Sequence, residues 1–177
     1  MLSVRIAKLE DIPRLSSLMK QAVEELSTSF YSAEQTQNAA KYLTNPDPDI
    51  IGDGTYFVVE HLTEAVGCGG WSTRRKLFTG SEDQESLSAD RLNPLSEAAK
   101  IRAFFVIPQY ARQGIARKIY EQCESAALLA GFQSLELMAT LPGVPLYRAL
   151  GFKDGEEVNI ELPNGSSLPC LSMFKSI

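Results

Sequence analysis

The sequence predicts a mixed α/β (α+β) fold, in which helices flank a central, mostly antiparallel sheet of about seven strands. Short runs of strand-type residues recur along the chain, and four of them form two hairpins closed by turn residues. Between these runs, apolar residues recur every three or four positions, which is the spacing of a helix with one buried face. The order of segments begins strand, helix, helix, strand, strand.

The first strand and helix lie close to the N-terminus. Alternation over residues 3–8 predicts an edge strand, and Asp11 is expected to cap the following helix, with Pro13 in the first helical turn. This helix has one apolar stripe, formed by Ile12, Leu15, Leu18, Met19, Ala22, Val23 and Leu26.

A second, weaker helix is predicted after a short break. Ser32 and Gln35 have the spacing of a capping box, in which the side chain of each residue accepts a hydrogen bond from the backbone N–H of the other. Residues 45–54 are rich in Pro, Asp and Gly and therefore predict a loop.

The middle of the chain predicts a hairpin and then a long polar segment. Residues 55–60 and 65–72 are strand-type runs, and residues 61–64 form the turn that would pair them antiparallel. Residues 73–97 are too long for an ordinary connection in a compact domain. Such a segment is either a functional cover or disordered, and both interpretations stay open here.

The most apolar strand and the next helix form the centre of the prediction. Residues 99–107 are nearly all apolar, as a strand that is buried on both faces requires. Gln113 and Gly114 then open a helix that ends at Gly131. Its buried face is expected to contain Ile115, Ile119, Cys123, Ala126, Ala127 and Ala130.

The C-terminal third supplies the last three strands. Residues 134–139 predict a strand, and residues 144–150 predict a short helix that ends at Gly151. Residues 158–174 predict a hairpin that turns at Pro163, Asn164 and Gly165.

Length and charge limit the class of protein. A chain of 177 residues suits one domain, residues 1–177, that needs no metal or disulfide, and Cys68, Cys123 and Cys170 are too far apart for a zinc motif. Acidic residues outnumber basic ones by 22 to 17, which argues against nucleic-acid binding and slightly favours a cationic substrate. No signal peptide or membrane span is indicated, so we expect a reducing, cytoplasmic location and no membrane partner.

The turn at Gly114 predicts a phosphate site. A buried strand, a turn with a glycine and a helix that starts at that glycine bring several backbone N–H groups and a positive helix end to one point. Gly114 allows close approach of the backbone, Ala116 keeps the next turn small, and Arg112, Arg117 and Lys118 add positive charge.

The segments around this turn resemble the GNAT superfamily of acetyl-CoA-dependent N-acyltransferases. The resemblance rests on residues 104–108 before the turn, residues 146–152 after the next strand and the order of the elements. It extends over residues 3–174, with its core at residues 101–152. It implies a splayed sheet, acetyl-CoA as co-substrate without a metal, and transfer of the acetyl group to an amine.

The family binds the pyrophosphate of CoA on a loop of the form Arg/Gln-x-x-Gly-x-Gly/Ala. In this sequence Ala111 stands where Arg or Gln is usual. The contribution of an Arg or Gln side chain to pyrophosphate binding is therefore missing. The family binds the pyrophosphate chiefly through backbone N–H groups, and Arg112 can partly replace the missing Arg or Gln side chain. The resemblance assigns cofactor binding to Ala111, Arg112, Gln113, Gly114, Ile115, Ala116 and Arg117.

The resemblance also implies where the chemistry occurs. Phe105 and Val106 offer backbone groups to the pantetheine arm, and the N–H of Val106 polarises the thioester carbonyl, an effect of roughly 3 kcal/mol in the transition state. Tyr147 stands four residues before Gly151, where the family often has the tyrosine that protonates the departing thiolate. Without the resemblance, Tyr147 reads as an amphipathic core residue with its hydroxyl at the surface.

The acceptor is less defined. Phe30, Tyr31, Trp71 and Ser72 occupy places where the family builds its acceptor pocket, although packing in the core and loops explains them equally well. Many members have an asparagine near Pro142, which this chain lacks. The acceptor is therefore a primary amine of a small molecule or a protein, and a homodimer stays open.

No general base is singled out by spacing. Glu60, His61, Glu64 and Glu97 are all conceivable, and a water chain could serve instead. The expected mechanism is direct attack of a neutral amine through a tetrahedral intermediate, because no cysteine stands where a ping-pong route would need one.

Two other functions are compatible with parts of the pattern. A catalytically inactive acetyl-CoA sensor is the alternative that the departures at Ala111 and Pro142 motivate. A nucleotide-phosphate hydrolase ranks lower, because the Gly-Lys-Ser/Thr ending and the metal-holding acids of such a site are missing.

Overall fold

A computed structural model of the chain describes all 177 residues and contains a seven-stranded mixed sheet flanked by helices. The predicted fold class is therefore confirmed. The strands are β1 (Leu2–Ile6), β2 (Tyr56–His61), β3 (Glu64–Ser72), β4 (Ala99–Val106), β5 (Ser134–Thr140), β6 (Lys153–Glu161) and β7 (Ser167–Ser176). The helices are α1 (Ile12–Leu26), α2 (Ala33–Tyr42), α3 (Pro48–Gly52), α4 (Glu82–Glu85), α5 (Ile115–Leu129) and α6 (Val144–Ala149).

The sheet has the order β1-β2-β3-β4-β5-β7-β6 and divides at one junction. All neighbouring strands are antiparallel except β4 and β5, which are parallel and pair only at Ala99 with Leu135 and Lys100 with Glu136. Beyond these two pairs, the facing edges of β4 and β5 form no residue pairs with each other. The sheet is therefore splayed at its centre, as the resemblance implies.

A β-bulge interrupts β4 within the splayed region. Phe105 pairs with Cys68, whereas Arg102 pairs with Gly70, so β4 contains one extra residue there. Ala103 takes a left-handed conformation with φ of 52° to accommodate it. Phe104 then packs so close to Gly69 that a Cβ there would lie 2.4 Å from a carbon of its ring. The bulge thus re-aims the side chains of the second half of β4.

Helices pack against both faces of the sheet. Adjacent residues Val58 and Val59 belong to different core clusters, and neighbouring side chains of a strand point to opposite faces. The Val59 cluster includes Ile115 and Ile119 of α5, and the Val58 cluster includes Leu15 of α1. Each of these side chains is at most 1% exposed, so each burial contributes about 1.5–3 kcal/mol.

The helix ends confirm some predicted caps and correct one. Ser32 and Gln35 form the predicted capping box at the start of α2. Asp11 stands at the start of α1 but does not cap it, so that prediction was wrong in its chemistry. Its carboxylate instead accepts hydrogen bonds from Arg5 and Arg14, at 2.8 and 2.9 Å, and from the backbone N–H of Lys8 at 2.8 Å, which lies before the helix rather than in its first turn.

Two segments that were predicted as loops contain more structure. Residues 45–54 include the short helix α3, whose start is capped by Asp47 and has Pro48 in its first turn. Residues 73–97 include α4, and the segment is tied to the domain by ion pairs of Arg74 with Asp53 and of Lys76 with Asp47. Disorder of residues 73–97 is therefore the wrong interpretation, and a cover stays a prediction.

The remaining predicted elements are confirmed within a few residues. The hairpin of β2 and β3 and the hairpin of β6 and β7 are both antiparallel, with the second turning at Pro163, Asn164 and Gly165. Helix α5 ends at Gly131, which has φ of 90°. No helix is long and apolar enough to cross a membrane.

Candidate functional site

A cavity of about 770 Å³ occupies the gap between β4 and β5. Residues of β4 form one wall and Met138, Ala139 and Thr140 of β5 form the other. The N-terminus of α5 and helix α6 line one end, while α1 and residues 77–79 line the other. The splayed junction therefore creates a large concave site at the place where the sequence predicts chemistry.

The N-terminus of α5 leaves backbone N–H groups without helical partners at the cavity. Gly114 has φ of 80° and Arg112 has φ of 64°, so the turn before the helix is left-handed at two positions. The first helical bond runs from the N–H of Lys118 to the carbonyl of Gly114 at 3.0 Å. The N–H groups of Ile115, Ala116 and Arg117 therefore have no helical partner and are free to bind an anionic group.

Most of the predicted cofactor residues meet at this cavity. Gln113 is the exception, since its side chain donates to the carbonyl of Gln109 at 3.0 Å and does not reach the cavity. The predicted site residues that line the cavity are Phe105, Val106, Ala111, Arg112, Gly114, Ile115, Ala116, Arg117 and Tyr147.

The N–H of Val106 faces the gap. The next N–H along the chain, that of Ile107, donates to the carbonyl of Val66 in β3 at 3.0 Å. Because successive N–H groups of an extended strand point to opposite edges, the N–H of Val106 points away from β3. It is thus available to a ligand that lies between β4 and β5.

Tyr147 lies on α6 beside this gap. Its ring packs against Phe104 and Phe152, with centroids 6.1 and 5.7 Å apart, and the residue is 8% exposed. Burial raises the pKa of the Tyr147 phenol well above its ordinary value, with a smaller contribution from Cys123. The phenol is therefore protonated at neutral pH and can act as a proton donor.

One cysteine does line the cavity, contrary to the sequence-based expectation. Cys170 of β7 contributes to the wall, but burial raises the pKa of its thiol to about 12. A thiol with that pKa is almost entirely neutral at pH 7 and is a poor nucleophile. Direct attack thus remains the chemistry that the cavity favours.

None of the conceivable general bases lines the cavity. Glu60 binds Arg5 and Arg14 at 2.9 and 2.8 Å. Glu97 is paired with Arg75, and Glu64 is exposed at the start of β3. His61 ends β2 instead of lying in the predicted turn, and its Nδ1 lies 2.7 Å from the hydroxyl of Tyr110. None of these four side chains is therefore placed to accept a proton from a ligand in the cavity.

The aromatic residues that the family resemblance linked to the acceptor divide into two groups. Phe30 lines the cavity, whereas Tyr31 is buried and donates to the carbonyl of Pro169 at 2.6 Å. Trp71 packs edge-on against Phe132 in the main core. Core packing is thus the correct interpretation of Tyr31 and Trp71.

The end of the cavity farthest from α5 is mainly apolar, and we call it the distal end. Sequence reasoning missed most of it, because an apolar residue of α1 or β6 that faces a cavity has the same local pattern as one that faces the core. The distal end is formed by the apolar side chains of Val23, Leu26, Phe30, Leu43, Leu77, Phe78 and Ile160 and by Cys170, with the polar residues Ser27, Asn45 and Thr79 among them.

A buried ionic cluster holds residues 76–79 over this end. Arg102 donates to Asp47 at 2.9 Å, to the carbonyl of Lys76 at 3.2 Å and to Thr79 at 3.2 Å. Lys76 also pairs with Asp47 at 3.0 Å. Burial favours a raised pKa for Asp47, but the charge and hydrogen bonds of Arg102 and Lys76 outweigh it and hold the pKa below its ordinary value. Asp47 is therefore an anion that anchors two cations.

The geometry offers no metal centre, since no group of three or more His, Cys, Asp or Glu side chains is arranged to hold a metal ion. The conspicuous features are instead a helix end for an anion, a free strand edge and a buried phenol. A family model of GNAT acetyltransferases matches residues 19–152. The chain belongs to the GNAT acetyltransferase family.

Solved structures of GNAT proteins share this fold across the whole chain. A GCN5-related N-acetyltransferase from Rhodopseudomonas palustris has a TM-score of 0.74 at 17% identity, with 99% of this chain and 95% of that chain covered. The PaiA N-acetyltransferase from Thermoplasma acidophilum, solved with coenzyme A, has a TM-score of 0.67 at 12% identity, covering 100% and 99%. A ribosomal-protein-alanine N-acetyltransferase from Brucella melitensis has a TM-score of 0.62 at 18% identity, covering 99% of both. A comparison with curated protein sequences gave no match.

Proposed function

We propose that this GNAT protein is a single-domain N-acetyltransferase, residues 1–177, that transfers the acetyl group of acetyl-CoA to a primary amine. The observation that supports this most is the convergence of the α5 N-terminus, the free N–H of Val106 and the Tyr147 phenol on one cavity. The family match and the coenzyme A in the PaiA structure are consistent with it.

In this proposal the α5 N-terminus binds the pyrophosphate. The free N–H groups of Ile115, Ala116 and Arg117 donate to phosphate oxygens, and Arg112 and Arg117 add charge. Ala111 has no side chain for this purpose, so backbone groups supply most of the binding. The pantetheine arm then lies along the free edge of β4 at Phe105 and Val106, as an additional strand would.

Val106 and Tyr147 carry the chemical step. The amine nitrogen forms a bond to the carbonyl carbon, and the N–H of Val106 donates to the oxygen on which charge develops. The carbon–sulfur bond then breaks, and Tyr147 donates its proton to the departing thiolate. Water accepts the proton that the amine loses and returns one to Tyr147. The acceptor is a small molecule or a protein amino group, and the proposed location is the cytoplasm.

The binding step is tested by calorimetry with acetyl-CoA and a Gly114→Trp variant. Gly114 has φ of 80° with nothing within 4 Å of an added Cβ, so a side chain can start there without a clash and the bulky indole should block the helix end. Gly165→Trp is the matched control, because Gly165 has the same φ of 80° and equally open surroundings in the β6–β7 turn. Both variants carry the same backbone strain, and only one is near the proposed site.

We expect wild type and Gly165→Trp to bind acetyl-CoA and Gly114→Trp to lose binding by at least roughly tenfold, about 1.4 kcal/mol. Equal binding by all three proteins would show that the α5 N-terminus is not the cofactor site. No binding by wild type would refute the proposed function itself.

A further inference from the structure

We infer that the acceptor is a small primary amine on an apolar aryl or alkyl body, rather than a polycation or an amino acid. The inference rests on the proposed acetyl transfer and concerns the distal end of the same cavity. Its basis is the composition of that end and the sign of the charges in the cavity wall.

The distal end presents an apolar surface from several separate elements. Leu26 and Phe30 come from α1 and the segment after it, Phe78 comes from the segment after β3, and Ile160 comes from β6. Phe78 and Phe105 both pack against the core cluster that contains Ile160, so aromatic rings and branched side chains lie side by side. Such a surface favours an apolar ligand by about 25 cal/mol for each Å² that it removes from water.

The charged side chains in the wall are all cations. They are Arg102, Arg112 and Arg117, and the last two lie at the α5 end. Arg102 is 1% exposed and has its charge matched by Asp47. No carboxylate lines the cavity, so an acceptor with a second ammonium group would bury that charge against apolar carbon without a partner, which costs several kcal/mol. This reverses the slight preference for a cationic substrate that the net charge suggests.

Arg102 also bears on whether the acceptor carries a carboxylate. Its two terminal nitrogens already donate to Asp47, Thr79 and the carbonyl of Lys76, and only Nε lacks a partner. The guanidinium fork is thus occupied by the protein, so the two parallel bonds that recognise a carboxylate cannot form without breaking the cluster. An α-amino acid would leave its carboxylate poorly paired in the distal end.

Two matched pairs of amines test the inference. Hexylamine and 1,6-diaminohexane differ only in a second ammonium group, and 2-phenylethylamine and phenylalanine differ only in a carboxylate. The readout is kcat/KM for thiol release from acetyl-CoA with each amine. We expect the first member of each pair to be preferred by at least about tenfold, which corresponds to about 1.4 kcal/mol.

A variant with an added negative charge tests whether the preference between amines arises at the distal end. Leu26→Asp places an anion at the distal end, at a residue that is 39% exposed and ends α1. It should lower activity with hexylamine and raise the diamine-to-hexylamine ratio about threefold or more, since partly exposed ion pairs are weak. Leu129→Asp is the control, because Leu129 is 90% exposed, ends a helix of the same length and lies outside the cavity.

The outcomes separate this inference from the proposed function. Equal or better use of the diamine or of phenylalanine would overturn the inference while acetyl transfer itself stands. An unchanged amine ratio in Leu26→Asp would also overturn it, because the distal end would then not contact the acceptor. No thiol release with any of the four amines, together with no acetyl-CoA binding, would instead contradict the proposed function.

Discussion

Replacing Val106 by proline removes one hydrogen-bond donor from the proposed site. Proline has no backbone N–H and is tolerated in a strand where that N–H would face away from the ladder. The N–H of Val106 points into the gap between β4 and β5, while Ile107 bonds to Val66. The substitution therefore deletes the proposed oxyanion donor without deleting a bond between strands. Val106→Ala retains the N–H and is the matched control.

The expected magnitudes differ for chemistry and for folding. Removing one donor from an oxyanion site lowers kcat by about 10²- to 10³-fold, or about 2.7–4 kcal/mol. Both variants lose the half-buried isopropyl group, which packs against the main core cluster. That loss lowers the free energy of unfolding by about 1 kcal/mol in each case. The two variants should therefore agree in stability and differ greatly in kcat.

The assay is steady-state thiol release at saturating amine and acetyl-CoA, with urea unfolding of each variant in parallel. We expect Val106→Pro to have a kcat at least roughly 10²-fold below that of Val106→Ala. The dissociation constant of acetyl-CoA should change much less than kcat, since the donor acts mainly in the transition state. If both variants have the same kcat, the N–H of Val106 does not polarise the thioester, and the proposed mechanism is wrong at this step.

Two further predictions concern Tyr147 and Asp47. Tyr147→Phe should bind acetyl-CoA normally but lower kcat by roughly 10²-fold or more. Because burial raises the pKa of the Tyr147 phenol, wild-type kcat should show no loss from that group up to about pH 10. Equal, measurable kcat in the two proteins would show that Tyr147 is not the proton donor, whereas acetyl-CoA binding without turnover by either protein would favour the inactive sensor. Asp47→Asn should lower the free energy of unfolding in urea by about 3–5 kcal/mol, because it leaves the buried cations Arg102 and Lys76 without their anion, whereas exposed Asp90→Asn should change it little. The lowered pKa of Asp47 means that its stabilisation is present above about pH 4 and is lost as the pH falls, so the urea midpoints of wild type and Asp47→Asn should converge in acid.

Local signals predicted the backbone around the start and end of α5 well. The left-handed turn at Gly114, the start of α5 and the helix end at Gly131 all depend on conformations that glycine adopts easily. The capping box of Ser32 and Gln35 is likewise a matter of neighbours in sequence. Features of this kind can be predicted because the residues that determine them lie within one turn of each other.

Features that depend on distant partners were missed or misassigned. The bulge at Ala103 follows from the register between β3 and β4, which no short pattern specifies. Asp11 has the residue type of a cap, but Arg5 and Arg14 take its carboxylate. Asp47 and Pro48 were read as loop signals, although the same residue types also begin a helix, as they do in α3.

The short β4–β5 junction has a consequence for how the chain unfolds. Only Ala99–Leu135 and Lys100–Glu136 join the half-sheet of β1–β4 to the half-sheet of β5–β7. A ligand that bonds to both free edges would make the sheet continuous, so that the two halves lose protection from amide hydrogen exchange together rather than separately. At a hundredfold excess over its dissociation constant, such a ligand adds about 2.7 kcal/mol to the stability of the folded state. The same gap that admits the ligand thus makes the continuity of the sheet's hydrogen bonds depend on the ligand, while the main core cluster packs residues of both half-sheets together in either case.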